Sequence, residues 1–571
     1  MNKFIKNNWR ILSLLILAGF FLFVYSFLSY SIFKNNLRFN SPDETANYFF
    51  ADRFAKTGEI AYYEPQNLLV DDIIHPRSLN SIDGKVFPVS FLGIILLYGG
   101  IAKIFGSWII LFLTPFLAII GILFFYFLIK KIFSSNIAYL SSVFLFFCPA
   151  YWYYSEKAMY HNIGFIVFLI ISLFFLINKK FQLNILLSGF FCGMALAFRP
   201  SEIFWVAGIF ILLFFYDSIE KFAIQKKLLS LRKLLSLRAK RSNPLNKIFN
   251  FSGLLRRSFQ SLLAMTREKK YKKQIKISKI ILFILSVLIA LSPIFYYNQN
   301  LYGNPLRSGY FVEKNISDNI KANSFLLPFG FNFELIIKNF YNYFLALFWF
   351  LSLPTILGII LFLKNKKTKK QKLYFWAYIF TSLWLLIYYG SWNIKDNISY
   401  NDITIGNSYV RYWIPIYVFS LPFMAIFLEK FYYSKRIKQK VALLLIFVYI
   451  LFSTSIVFFA NEESILKVRK NISNYQKISK NVLSITEKNA IIITEYGDKI
   501  FFPQRRIISI KNKNYKIFAK INPLLDKTPI YYYNDLLEAK DIKYINTKKI
   551  KKYKLKLIKA DDGLYRVVHY K

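Results

Sequence analysis

About eleven apolar runs, separated by short polar turns, divide the first 460 residues of this chain, and they constrain its fold more than any other feature. A run of roughly 18 or more apolar residues is long enough to cross the hydrocarbon core of a bilayer. That core holds no water to bond a free N–H or C=O, so a chain crossing it repeatedly by such runs must do so as helices. The composition agrees: 56% of the residues are hydrophobic and 20% aromatic, which excludes an ordinary soluble domain. The first run, Leu14 to Leu28, follows Lys3, Lys6 and Arg10 as the core of a signal peptide would. It is long, however, and no small-x-small cleavage pattern precedes Tyr30-Ser31-Ile32-Phe33, so it reads as an uncleaved anchor.

Lysine and arginine collect in loops on the cytoplasmic side, which orients the runs. With the N-terminus inside, span one covers 11–30 and residues 31–107 form a first outer loop. Spans two to four fall at 108–129, 136–150 and 163–178, with a short outer loop, Trp152 to Asn162, between the third and fourth. Spans five and six lie at 183–198 and 203–217, span seven at 277–296, and spans eight to eleven at 342–363, 373–390, 413–428 and 441–459. Pro88 to Phe105 is apolar too, but counting it as a span would put Lys130-Lys131 and Lys179-Lys180 outside. It therefore reads as an interfacial or re-entrant helix. The expected setting is a bacterial cytoplasmic (inner) membrane crossed many times.

A formal charge of +46 would suggest a nucleic-acid partner, but many of the basic residues lie in short loops between spans. That placement predicts contact with membrane lipids and no nucleic acid. Residues 226–276 differ in kind, with sixteen Lys and Arg against one acid, Glu268. Ser236 to Pro244 and Gly253 to Glu268 resemble translated palindromic repeat elements inserted in some bacterial genes. A basic amphipathic segment on anionic lipid is the alternative. Two cysteines, Cys148 and Cys192, sit in apolar runs and argue against a disulfide framework. No CxxC, HExxH, P-loop or GxGxxG occurs, so the usual metal and nucleotide signatures are missing.

Residues 461–571 are more polar and read as a small outer α/β domain. Ala490 to Thr494, Arg506 to Ile510, Ile530 to Tyr533, Lys543 to Ile545 and Tyr565 to Val568 are its expected strands. No cluster of acids, histidines or serines there suggests a second active site.

On this topology the uncommon residues collect on the outer side. Just past span one stands Ser41-Pro42-Asp43-Glu44-Thr45-Ala46-Asn47-Tyr48, which opens a helix: proline fixes a helix-start angle, and acids favour the positive end of the dipole. The bland reading of Asp43 and Glu44 is a helix cap beside a solvated acid. The functional reading is a general base at the rim of an apolar bundle. Arg199 ends span five before Pro200, where a guanidinium can grip a phosphate by two prongs or reach for headgroups. Lys157 and His161 are one turn apart if helical, and His75 precedes Pro76. Histidines in separate loops without ligand spacing make a weak metal case, so neither a metal nor a cofactor is expected.

The order of these features resembles the GT-C polyprenol-phosphate-sugar glycosyltransferases, in particular the bacterial set similar to protein mannosyltransferases and the lipid A aminoarabinose transferase. The resemblance covers residues 1–460 and rests on five segments. These are Pro42-Asp43-Glu44 with Tyr48; Gly84 to Pro88 with Gly93; Ala195 to Pro200; Pro293 to Asn298 followed by Tyr302-Gly303-Asn304-Pro305 and Gly309-Tyr310; and Arg411-Tyr412-Trp413-Ile414-Pro415. It implies a GT-C-like bundle, with Asp43 as catalytic base and Glu44 able to share the role. Arg199, Lys157, His161, His75, Arg411 and Tyr412 are the implied substrate-binding residues. Where the family tends to carry an aspartate in the second outer loop, this chain has Tyr160-His161-Asn162. The implied reaction moves a sugar from a polyprenyl-phosphate donor to a lipid, glycan or protein acceptor by one inverting displacement. A transporter or flippase competes with this reading, but no charge stands in mid-span and no paired broken helices are evident. A glycan polymerase or ligase of the envelope shares the multispan body.

Overall fold

The computed structural model describes residues 2–34, 37–177, 181–215, 252–311, 327–394, 403–432, 436–460, 463–510, 514–535 and 537–570. The chain is a mostly helical polytopic membrane protein with a small α/β C-terminal unit. The apolar runs become helices: α1 (Asn2–Tyr25) and α2 (Phe27–Lys34) for the anchor, then α3 (Pro42–Thr57) and α4 (Leu92–Phe105) in the first loop. There follow α5 (Ile110–Lys130), α6 (Ser135–Phe146), α7 (Pro149–Glu156), α8 (His161–Ile177) and α9 (Gln182–Phe198). Next come α10 (Pro200–Phe215) and the long α11 (Ser252–Tyr302). By length and composition, six helices among the described residues can cross a membrane, or nine if each of three bent pairs is one span.

Three segments differ from the sequence reading. The expected loop Trp152 to Asn162 holds the end of α7, and every residue from Pro149 to Asn162 is buried. Its run of Tyr151, Trp152, Tyr153 and Tyr154 is too apolar to stay in water, so it folds back into the bundle, and α7 meets α8 at 118°. The expected eighth span is interrupted: Phe333–Ala346 meets Trp349–Lys364 at 98°. Lys543 to Ile545 is not a strand; Glu538 and Asp541 form a capping box that starts the helix Ala539–Tyr544. Residues 226–251 of the basic stretch lie outside the described residues, and from Ser252 the backbone runs on into α11.

Close approach of backbones at small residues holds the bundle, as expected where lipid removes the hydrophobic drive between helices. A Cβ on Gly189 or Gly193 of α9 would meet the Phe283 or Val287 carbonyl of α11 at 2.4 or 2.6 Å. One on Gly93 would meet the Ala197 carbonyl at 2.3 Å, which places α4 against the end of α9, two residues before Arg199. The 14-residue α4 spans about 21 Å, too short to cross a hydrocarbon core. It packs along α3 instead, with Gly99 against the Ala51 carbonyl.

The first loop also carries a three-stranded antiparallel sheet, order β1-β3-β2, from β1 (Tyr62–Tyr63), β2 (Leu79–Ile82) and β3 (Lys85–Pro88). The C-terminal unit starts with the helix Ile465–Ile485. It then forms a five-stranded sheet from β4 (Ile491–Thr494), β5 (Arg506–Ser509), β6 (Ile530–Tyr533), β7 (Leu555–Asp561) and β8 (Leu564–His569). The order is β5-β4-β6-β8-β7, parallel over its first three strands and antiparallel over the rest. Val70 and Ile74 of the first loop share a core with Ile491, Ile493 and Ile508 of this sheet, so loop and C-terminal unit lie on the same side of the bundle. At the opposite end, Lys370 donates to the Lys131 carbonyl.

Gly358 makes the tightest of the glycine contacts, since an added Cβ would sit 1.8 Å from the Phe423 carbonyl. Gly358→Val should therefore destabilise the protein by about 1–3 kcal/mol, read as a lower thermal midpoint in detergent. Gly19→Val, where nothing lies within 4 Å of an added Cβ, should leave the midpoint unchanged.

Candidate functional site

The site is built around the start of α3. Ser41 is the N-cap: its side chain accepts from the Asp43 N–H, and Pro42 takes the first helical position. Capping therefore falls to Ser41, which leaves the Asp43 carboxylate for other work. Its Oδ1 accepts from Ser78 Oγ at 2.5 Å, and its Oδ2 lies 3.9 Å from Arg411 Nη1. The side chain is 35% exposed, so one face of the carboxylate is open. Glu44, one residue on, points the other way into the protein. It is 3% exposed and 4.0 Å from Lys157 Nζ. Burial pushes the Glu44 carboxyl up, against the pull of Lys157.

Lys157 belongs to the break between α7 and α8. Its ammonium lies 5.3 Å from the centres of the Tyr153 and Tyr160 rings. The break frees carbonyls that other elements take up. Asn47 on α3 donates to Met159 O at 2.9 Å, and Thr114 on α5 donates to Ala158 O. Asn47 Nδ2 also lies 3.4 Å from His161 Nε2, and its Oδ1 accepts from Ser90. His161 is buried, and its Nδ1 has no partner among the described residues. One residue on, Asn162 donates to the Arg411 carbonyl at 2.9 Å, which ties α8 to the segment carrying Arg411.

Arg199 stands where α9 turns into α10 at 118°. Its Nε donates to Glu202 Oε1 at 2.9 Å and its Nη2 to Tyr389 OH at 2.9 Å. Tyr389 in turn donates to Glu202 Oε1 at 2.6 Å, and Trp205 donates to Glu202 Oε2. The guanidinium lies 4.7 Å from the centre of the Tyr412 ring, which stacks on Tyr389 at 4.3 Å. Arg411, the neighbour of Tyr412, lies 5.2 Å from the Tyr160 ring centre. The Arg411 side chain is 17% exposed against 9% for Arg199, so it is the more accessible of the two arginines.

Seven of the eight sequence-predicted residues thus converge: Asp43, Glu44, Lys157, His161, Arg199, Arg411 and Tyr412. His75 does not join them. Its backbone pairs with Ile508 of β5, and its Nδ1 lies 3.0 Å from the Pro76 carbonyl. Sequence reasoning missed Ser78, Asn47, Tyr160 and Tyr389 as site residues. Glu202 carried a usable signal, an acid three residues after an arginine at a helix end. Ser78 carried none, because a serine 35 residues from Asp43 is set beside it only by the fold. Among the described residues no group of three or more His, Cys, Asp or Glu could hold a metal ion. The arrangement offers a half-exposed, oriented carboxylate facing a guanidinium, the parts needed to accept a proton next to an anionic group.

No family model matches the chain, and no curated protein matches it. Solved structures do. The archaeal oligosaccharyltransferase AglB from Archaeoglobus fulgidus, in complex with an inhibitory peptide and a dolichol-phosphate, superposes with a TM-score of 0.51 at 12% identity. That match covers 93% of this chain and 70% of the other. ArnT from Cupriavidus metallidurans in the apo state gives a TM-score of 0.48 at 9% identity over 98% of both chains. At 12% identity the likeness to AglB is one of fold alone, and the chain has a GT-C-like helical membrane fold.

Proposed function

We propose that the chain is an integral-membrane glycosyltransferase that moves a sugar from a polyprenyl-phosphate donor to a lipid, glycan or protein acceptor, with Asp43 as the general base. The observation that carries this reading is the Asp43 carboxylate, half-exposed and 3.9 Å from Arg411 within a GT-C fold. The dolichol-phosphate and peptide bound to AglB support a lipid-linked donor and a peptide acceptor in general terms.

The residues divide the work as follows. The acceptor hydroxyl gives its proton to Asp43 as its oxygen attacks the anomeric carbon. The bond from that carbon to the phosphate oxygen breaks, and the polyprenyl phosphate leaves with the electron pair. One displacement inverts the centre. A phosphate-linked sugar is already activated, so no nucleotide site is required. Arg411 faces the carboxylate and is accessible, so it neutralises the departing phosphate. Arg199 is committed to Glu202 and Tyr389, so it holds the Tyr412 ring against the site and meets the donor through that aromatic face. Lys157 keeps the buried Glu44 paired, which leaves Asp43 as the base and Glu44 in support. The membrane is the bacterial inner membrane, with the site facing the periplasm.

Four outcomes are expected. Asp43→Asn should lower transfer by about 10²–10⁴-fold, the usual worth of general-base help, with normal expression and insertion. Mass spectrometry of lipid A, glycans and envelope proteins from a deletion strain carrying the variant would read this. Glu44→Gln should be milder, and normal transfer in Asp43→Asn would remove Asp43 from the mechanism. Arg411→Gln should cost about 10²–10³-fold, as loss of a charge-stabilising donor does, whereas Arg411→Lys should recover part of it. Reporter fusions after residue 366 should be cytoplasmic and after residue 500 periplasmic; both on one side would overturn the orientation.

A further inference from the structure

We propose that the C-terminal unit is a working part of the site, with Asp498 as a positioning residue that fixes the Arg77–Ser78 turn and, through Ser78, the orientation of the Asp43 carboxylate. This rests on the reading of Asp43 as the base.

Asp498 opens the short helix Asp498–Phe501 and is fully buried. A buried carboxylate needs partners for both oxygens, and a single residue of the first loop supplies them. Arg77 donates from its backbone N to Oδ2 at 2.9 Å, from Nε to both oxygens at 3.1 Å and from Nη2 to Oδ1 at 2.6 Å. Nη2 also donates to Tyr496 O at 3.2 Å, and the guanidinium lies 5.2 Å from the Tyr496 ring centre. Arg77 is therefore held by the C-terminal unit in both backbone and side chain.

The grip acts one residue further on. Ser78 has a φ of +64°, a left-handed conformation that a side-chain-bearing residue keeps only when its surroundings hold it. Its carbonyl accepts from Val89 N–H at 3.1 Å, so the turn is braced from both flanks. The conformation aims Oγ at Asp43 Oδ1, 2.5 Å away.

The next residue of the same short helix holds the other approach to Asp43. Lys499 Nζ donates to the Asn40 carbonyl at 2.5 Å, immediately before the Ser41 cap. Phe502 then packs edge-on against Phe49 of α3 at 4.8 Å. Two consecutive residues thus fix both segments that frame the carboxylate, 40–41 before it and 77–78 opposite it. The two units also meet through the buried Val70 and Ile74 against Ile491 and Ile508, and through the exposed Lys520–Asp71 pair at 3.0 Å, and neither contact involves residues 40–43 or 77–78. A unit serving only as a tether would need just contacts of that second kind.

The test uses the full chain in lipid nanodiscs for hydrogen exchange, and the complemented deletion strain for product. Asp498→Asn should speed exchange about 10-fold or more at amides 77–79 and also at 43–47, the local opening expected when a charge-assisted anchor is weakened. It should cut the envelope product about 10-fold at equal protein level, whereas Lys520→Ala should change neither. Ser78→Gly is the second variant. Glycine keeps the left-handed turn and leaves Arg77 and Asp498 untouched, so it removes only the hydroxyl. It should lower product by a similar factor without loss of thermal stability. In the Asp43→Asn background neither change should lower product further, because the three residues act as one unit. Faster exchange confined to 77–79, with product at the wild-type level, would overturn the proposal and leave Asp498 as a mere anchor. An active Asp43→Asn would instead overturn the base assignment. The exchange at 43–47 would still decide whether Asp498 positions residue 43.

Discussion

An N–H or C=O left unpaired in hydrocarbon is costly enough that a chain in a membrane has almost no choice of backbone. The body of this protein follows from that demand. Its apolar runs are helices packed through small residues, such as Gly189 and Gly193 against α11 and Gly358 against the Phe423 carbonyl. Departures from regular helix are few and sit where other groups can satisfy the backbone. Two of the three bent pairs turn at residues of the candidate site, Lys157 to Tyr160 and Arg199. Irregular backbone and the charged side chains of the candidate site therefore share one end of the bundle, because both need polar company.

The same demand governs the charges. Three buried ions around the site have a counter-charge within reach. Glu44 has Lys157, Arg199 has Glu202 and Asp498 has Arg77. Only the Asp43–Arg411 pair combines a longer separation, 3.9 Å, with appreciable exposure. That pair can exchange its partner for a substrate at little cost, whereas breaking one of the buried pairs would strand a charge. Placement, more than residue type, separates Asp43 from its neighbour Glu44.

Much of this was legible in the sequence, and the limits are physical. Local chemistry reads well: Ser41-Pro42 announces a helix start, and the apolar runs announce helices. In the C-terminal unit, Ile530 to Tyr533 coincides with β6, but Lys543 to Ile545 was expected as a strand because two apolar residues outweighed the Glu538–Asp541 capping box. Strand β7 went unseen although Leu555 and Leu557 alternate with lysines at the strand period. Seven of the residues that the structure brings together around Asp43 could be named because charged groups and rings at the ends of apolar runs are conspicuous. Their partners could not. Tyr389 lies 190 residues from Arg199, and Ser78 is an ordinary serine in a loop. The structure sets His75 beside the C-terminal sheet, a place the sequence could not give, because a histidine before a proline looks the same whether it faces a substrate or a neighbouring sheet.

The break between α7 and α8 bears on the order of synthesis. It exposes the carbonyls of Ala158 and Met159, which are taken up by Thr114 and Asn47. Both partners precede the break in the chain, so they have already left the ribosome when it emerges. These two carbonyls can thus be satisfied as the chain is made. Tyr154, by contrast, donates to the Gly406 carbonyl and must wait for a segment some 250 residues later. The polar wall behind Glu44 is complete early, and the arginine that faces Asp43 arrives with the late segment that closes over it.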